Sequence, residues 1–150
     1  MNQKSIVGGV IGGLIGGVVF GMLSQMMGMM PMIAMLVHSQ SVVVGWAVHL
    51  VLSVLGGIVF AIAFDNLAKS YWGGTLYGMM YGVIWWALGM MTIMPILLGM
   101  PTEWSSALSS ANMMSLMGHL IWGILLGLVF VWYVKRGGPR YTHTAASAQH

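Results

Sequence analysis

The chain contains no cysteine, which removes disulfides, thiolate metal sites and thiol chemistry at once. Charge is nearly as scarce: 5% of its 150 residues are Asp, Glu, Lys or Arg, against roughly 25% in an ordinary soluble domain. The complete set is Lys4, Asp65, Lys69, Glu103, Lys135, Arg136 and Arg140. So few basic residues cannot neutralise a run of phosphates, so nucleic acid is not a partner. The two carboxylates lie outside the long apolar stretches, which leaves no Ser-His-Asp constellation and no intramembrane acid for proton coupling. No glycine pair is followed by Lys-Ser/Thr, so a phosphate-cradling loop is also missing. The expectation is a protein that is not an enzyme.

What the chain does have is hydrophobic length. Residues of this kind make up 59% of it, and 5–64, 70–102 and 104–134 carry no charge at all. About 20 apolar residues cross the roughly 30 Å of bilayer hydrocarbon. Respecting the polar breaks, four crossings fit: Ser5–Met27, Ser41–Phe64, Tyr71–Met94 and Ala111–Val134. Pro31, Pro95 and Pro101 mark helix ends or kinks. Lys4 ahead of the Ile6–Leu23 run has the outline of a signal peptide, but the run is long and no small-x-small cleavage site follows. With four crossings every Lys and Arg falls on one side, so the positive-inside rule makes both termini cytoplasmic. The expected organisation is one membrane domain over 1–134 with a polar, disordered cytoplasmic tail over 135–150. Its expected place is a bacterial or archaeal cytoplasmic membrane, with the lipid bilayer as its first partner.

The four segments repeat. His49-Leu50 and Gly57-Ile58-Val59-Phe60 match His119-Leu120 and Gly127-Leu128-Val129-Phe130 at an offset of seventy. Gly8-Gly9, Gly13 and Gly17 match Gly73-Gly74, Gly78 and Gly82 at sixty-five, and Met30-Pro31 matches Met94-Pro95 at sixty-four. The fold expected is therefore all-α, a four-helix membrane bundle made by tandem repetition of a helical hairpin (about 5–64 and 71–134). Two crossings per unit make the repeats parallel.

Small residues let membrane helices approach where no water drives them together. Gly9, Gly13, Gly17 and Gly21 form a glycine zipper on the first helix, which should be the most tightly surrounded. Gly74, Gly78 and Gly82 on the third, with Gly123 and Gly127 on the fourth, extend the helix-packing set. Such rows also suit a homo-oligomer or a contact with other membrane subunits. Trp46, Trp72, Trp104 and Trp132 fall near the predicted boundaries, as an aromatic belt does. Trp85, Trp86 and Trp122 lie deeper and need partners for their N–H groups.

Two signals could carry chemistry. His49 and His119 occupy equivalent depths in the outer half, each flanked at four-residue steps by small or polar residues, and ionisable groups inside membranes are often functional. Fourteen of the seventeen methionines also fall in the outer half. Thioether and imidazole together suit Cu(I), with His38, His49, His119, Met26, Met30, Met94 and Met117 as candidate ligands. Alternatively His49 and His119 are the axial ligands of a haem b. The plain alternative is an imidazole hydrogen-bonded across a helix interface among methionines that fill gaps. Small-solute transport would need a polar path that the sequence does not display. Glu103 is positioned to approach His38.

Gly118-His119-Leu120-Ile121-Trp122, together with His49, Ser53, Val59-Phe60-Ala61 and the exit Met94-Pro95, resembles segments of the uncharacterised YagU-type bacterial inner-membrane proteins. The resemblance covers helices two to four in outline. It implies a small inner-membrane protein without assigned activity and points to no site residue beyond His119 and its neighbours; the expected role, read from the chain as a whole, is that of a structural or accessory membrane protein or a complex subunit.

Overall fold

The computed structural model describes residues 3–102 and 104–136. Glu103, Arg140 and nearly all of the expected tail therefore lie outside the described residues. Within them the chain forms α1 (Gln3–Met26), a short α2 (Met30–Ala34), α3 (Val42–Phe64) and α4 (Tyr71–Ile84). A π-helical segment, Trp85–Ile93, carries α4 into α5 (Met94–Leu97), and α6 (Ser110–Lys135) completes the bundle. Four helices are long and apolar enough to cross a membrane: Gln3–Met26, Val42–Phe64, Tyr71–Leu97 and Ser110–Lys135. This is the composition of an integral membrane protein, and each helix begins and ends within three residues of the bounds read from the sequence.

The helix ends follow local chemistry. Ser70 and Ser109 cap α4 and α6 by accepting from Gly73 and Asn112 backbone N–H groups, relieving donors that a helix start leaves orphaned. Gly28 (φ +69°) closes α1, and Gly99 (φ +68°) closes α5. In both places the following residue, Met29 or Met100, donates back to a carbonyl five residues earlier, Ser24 or Pro95. This is the Schellman arrangement, which favours glycine at the left-handed position. His38 (φ 59°) closes the 3-10 turn after α2 the same way, with Ser39 donating to Ala34.

The two Met-Pro sites part company here. Pro31 starts α2 after the chain has already broken at Gly28, whereas the third span runs through Pro95 to Leu97. Proline removes a donor and crowds the carbonyl four residues back. The preceding π-helical turns shift that register, with Met94 donating to the Gly89 carbonyl and Thr92 Oγ1 to Ala87. Pro95 is thus not a helix exit.

Helices α1 and α6 form the central pair, with α3 against α1 and α4 against α6. The central two share the greatest burial, 44% of each span against 22% for Tyr71–Leu97, so α1 is matched by α6 rather than alone. Glycine makes these seams. A Cβ on Gly9 or Gly57 would run into the other's backbone or carbonyl, and the same holds for Gly74 with Gly127 and for Gly78 with Gly123. On its other face α1 sets Gly12 and Gly16 about 3 Å, at the Cβ position, from the Leu126 and Trp122 carbonyls of α6. Gly21 lies under the Trp46 ring. No such seam joins α3 to α4. Phe60, Phe64, Tyr77, Tyr81 and Trp122 fill that space with stacked and edge-on rings, and the Tyr81 hydroxyl donates to the Gly56 carbonyl at 2.8 Å.

At the end that carries the start of α1, Ser5 Oγ donates to Asp65 Oδ1 at 2.6 Å and Lys4 Nζ to the Val134 carbonyl at 2.8 Å. Lys135 and Arg136 lie over the Tyr71 and Trp132 rings.

Replacing Gly78 by Ala forces α4 and α6 apart, whereas a Cβ on Gly8 meets the Phe130 and Tyr133 rings at 3.4 Å and the Phe130 carbonyl at 3.6 Å, all ordinary contacts. Gly78→Ala is expected to lower stability in detergent by about 1–3 kcal/mol and Gly8→Ala to change it little. Equilibrium unfolding of the two variants in the same micelle decides this.

Candidate functional site

The half of the bundle away from Lys4 and Asp65 holds a half-open cavity of about 200 Å³. Its walls come from every helix but α4: Phe20 and Ser24 of α1, Met29 and Ile33 around α2, His49, Leu52 and Ser53 of α3, the π segment from Trp85 to Ile93, Met94 and Leu97 of α5, and Ser115, His119 and Trp122 of α6. The widened π turns supply most of one wall, through Trp85, Gly89, Met90 and Ile93.

His49 and His119 both reach this cavity, through different contacts. His49 is buried (7% exposed), and its Nε2–H donates across the helix seam to the Gly17 carbonyl at 2.9 Å. The partner is a carbonyl, so that nitrogen must carry the proton. His119 instead uses Nδ1–H, donating to the Ser115 carbonyl one turn back in its own helix at 2.8 Å. The second nitrogen of each ring has no hydrogen-bond partner among the described residues.

Phe20 touches both imidazoles edge-on, with ring centroids 5.3 Å from His49 and 4.6 Å from His119. The two histidines are therefore within about 10 Å of each other. Gly118 makes room for this ring, since a Cβ there would strike Phe20. Phe20 drew no notice in the sequence because a lone aromatic in an apolar run is ordinary. The available signal was its alignment, at the same sixty-five-residue offset as the glycines, with Trp85, another aromatic of the cavity wall. Trp122 does not find the partner that its depth calls for. Its indole Nε1 is the one buried side-chain polar atom among the described residues without a partner, whereas Trp86 donates to the Asn112 carbonyl at 3.1 Å.

The seven candidate ligands do not assemble as one layer. Met26 is 84% exposed and Met117 59% exposed, and both face outward. Met30 is wholly buried, with its backbone packed on Gly45. His38 is exposed in its left-handed turn, away from the cavity lining. Of the four methionines only Met94 lines the cavity with His49 and His119. Among the described residues no three His, Asp or Glu side chains group to hold a metal ion. A haem between the two histidines does not fit either, because Phe20 packs against both imidazoles at once.

Compared with family models, with curated proteins and with solved structures, the chain finds no match.

Phe20→Ala is expected to cost about 3–5 kcal/mol through the void it leaves. His49→Ala, which breaks an interhelical bond, should cost about 1–2 kcal/mol, and more than His119→Ala, whose bond stays within α6. Unfolding titrations of the three variants give the ranking; equal losses at the two histidines would contradict the contact assignment.

Proposed function

We propose that this is a non-catalytic, duplicated-hairpin protein of the cytoplasmic membrane, with both termini inside, which holds a neutral and mostly apolar molecule in the outer-half cavity. It would serve as an accessory protein or complex subunit. The observation that carries the binding reading is the cavity itself: an apolar chamber edged by two imidazoles that each keep one nitrogen available.

The duplication is supported by equivalent contacts. Gly9 opposite Gly57 recurs as Gly74 opposite Gly127, and Gly13 against Ser53 recurs as Gly78 against Gly123. The departure from symmetry supports the binding reading. Gly12 and Gly16, which seat α1 on α6, align with Tyr77 and Tyr81 of α4. Two phenol rings in place of two hydrogens hold α4 off α3, and the space between them opens toward the outer half. With no charged side chain among the described lining residues, an ion would enter without compensation at a cost of several kcal/mol. An uncharged amphiphile with a hydroxyl or carbonyl group matches the lining better.

Trp85 and Trp122 in the cavity wall provide the test. A brominated long-chain alcohol is expected to quench fluorescence saturably, near one molecule per chain. Leu52→Phe, which narrows the cavity, should weaken the effect roughly tenfold, or about 1.4 kcal/mol. Quenching that rises linearly with the bromo-alcohol and is the same in both proteins would mean contact with bulk hydrocarbon only, and the binding reading would fail.

A further inference from the structure

A second pocket, of about 250 Å³, lies beside the first, between α2, the π segment and the start of α6. Its lining is unusual in one respect. Five methionines line it: Met32, Met90, Met91, Met94 and Met100. They arrive from two stretches of chain, α2 and the continuous run 90–100. Met32 comes from α2, Met90 and Met91 from the π segment, Met94 from the first turn of α5, and Met100 from the turn that Gly99 reverses. The Met100 N–H donates to the Pro95 carbonyl at 2.8 Å, which folds that residue back over the helix end. Asn112 closes the floor, its side-chain amide donating to the Ser106 carbonyl at 2.9 Å.

Methionine used as filler closes voids, because its flexible chain adapts to the space on offer. Here five of them line a space left open. The pocket has no carboxylate, imidazole or thiolate among its described lining residues, so it has nothing to offer Mg(II), Ca(II) or Zn(II), which take oxygen, nitrogen or thiolate donors. Neutral, polarisable sulfur selects a soft cation, and a single positive charge is the least costly to accept without a counter-anion.

We propose that this pocket is a Cu(I) site, with Met90, Met94 and Met100 as the principal thioether ligands and Met32 and Met91 completing the shell. It shares Met90 and Met94 with the wall of the histidine-edged cavity but takes no ligand from His49 or His119.

The test uses the full chain in detergent micelles under ascorbate, with Cu(I) partitioned against a chromogenic chelator. One Cu(I) per chain is expected, with sulfur-only scattering in copper X-ray absorption and no displacement by excess Zn(II). Met90→Leu/Met94→Leu/Met100→Leu, which nearly conserves volume, should weaken binding by a factor of ten or more, about 1.4 kcal/mol for each tenfold. Met22→Leu/Met26→Leu/Met117→Leu and His49→Phe/His119→Phe should leave it unchanged. Absence of stoichiometric Cu(I), nitrogen or oxygen scattering in the unaltered chain, equal loss in the outward-facing methionine variant, or loss in the histidine variant would each overturn the proposal. Scattering from the unaltered chain decides the matter even if the triple variant fails to fold.

Discussion

In hydrocarbon, apolar side chains gain nothing by leaving lipid for one another, so helices associate through close packing and hydrogen bonds. Backbone contact at glycine is the constraint on which this bundle depends. Gly9 with Gly57, and Gly78 with Gly123, bring helix axes together where any Cβ would collide. That proximity has chemical consequences beyond packing. It places the Gly17 carbonyl within 2.9 Å of the His49 ring, so a backbone group of α1 serves as the partner of the imidazole on α3. Other interior polar groups also use backbone carbonyls, Ser53 and His119 within their own helices and Tyr81 across the ring-packed α3–α4 side.

The same constraint explains where the bundle is open. Where α1 has Gly12 and Gly16, α4 has Tyr77 and Tyr81, and the α3–α4 side is held together by rings instead of by backbone contact. Rings pack efficiently near the joining turn, where Phe60, Phe64, Tyr77 and Tyr81 interlock. Further along, α4 gives way to π turns that accommodate Pro95, and the wall they form stands off far enough to leave two pockets. One is edged by imidazole and the other by thioether. Both open spaces thus follow from two departures from the glycine pattern: aromatic substitution in the middle of α4 and proline near its end.

Much of the architecture was legible in the sequence because the signals concerned are local. Uncharged runs of helical length leave few alternatives in a chain this poor in charge, and the bounds of the four helices came out within three residues. Glycine spacing pointed to the seams because a missing side chain has the same meaning wherever two helices meet. The candidate ligand set was less legible. Met26, Met30, Met94 and Met117 share a depth, but depth along a helix says nothing of azimuth when almost every residue is apolar and no amphipathic stripe distinguishes inside from outside. Met26 and Met117 face outward, while Met32, Met91 and Met100 reach a pocket. The π register further along the third span, and the reversal at Gly99, set those directions.

The sequence by itself determined the class of molecule, the number and limits of its long helices, the lack of cysteine, and the depth of His49 and His119. These depend on composition and on rise per residue, which need no knowledge of neighbours. Only the tertiary structure decided that Phe20 packs against both histidines, that His49 bonds a backbone carbonyl of another helix while His119 bonds one of its own, and that five methionines line a pocket beside the π segment. Those outcomes rest on which helix faces which. In a chain apolar on all sides, that choice is made by steric fit between glycine and its opposing backbone, a property of pairs of segments that no single segment displays.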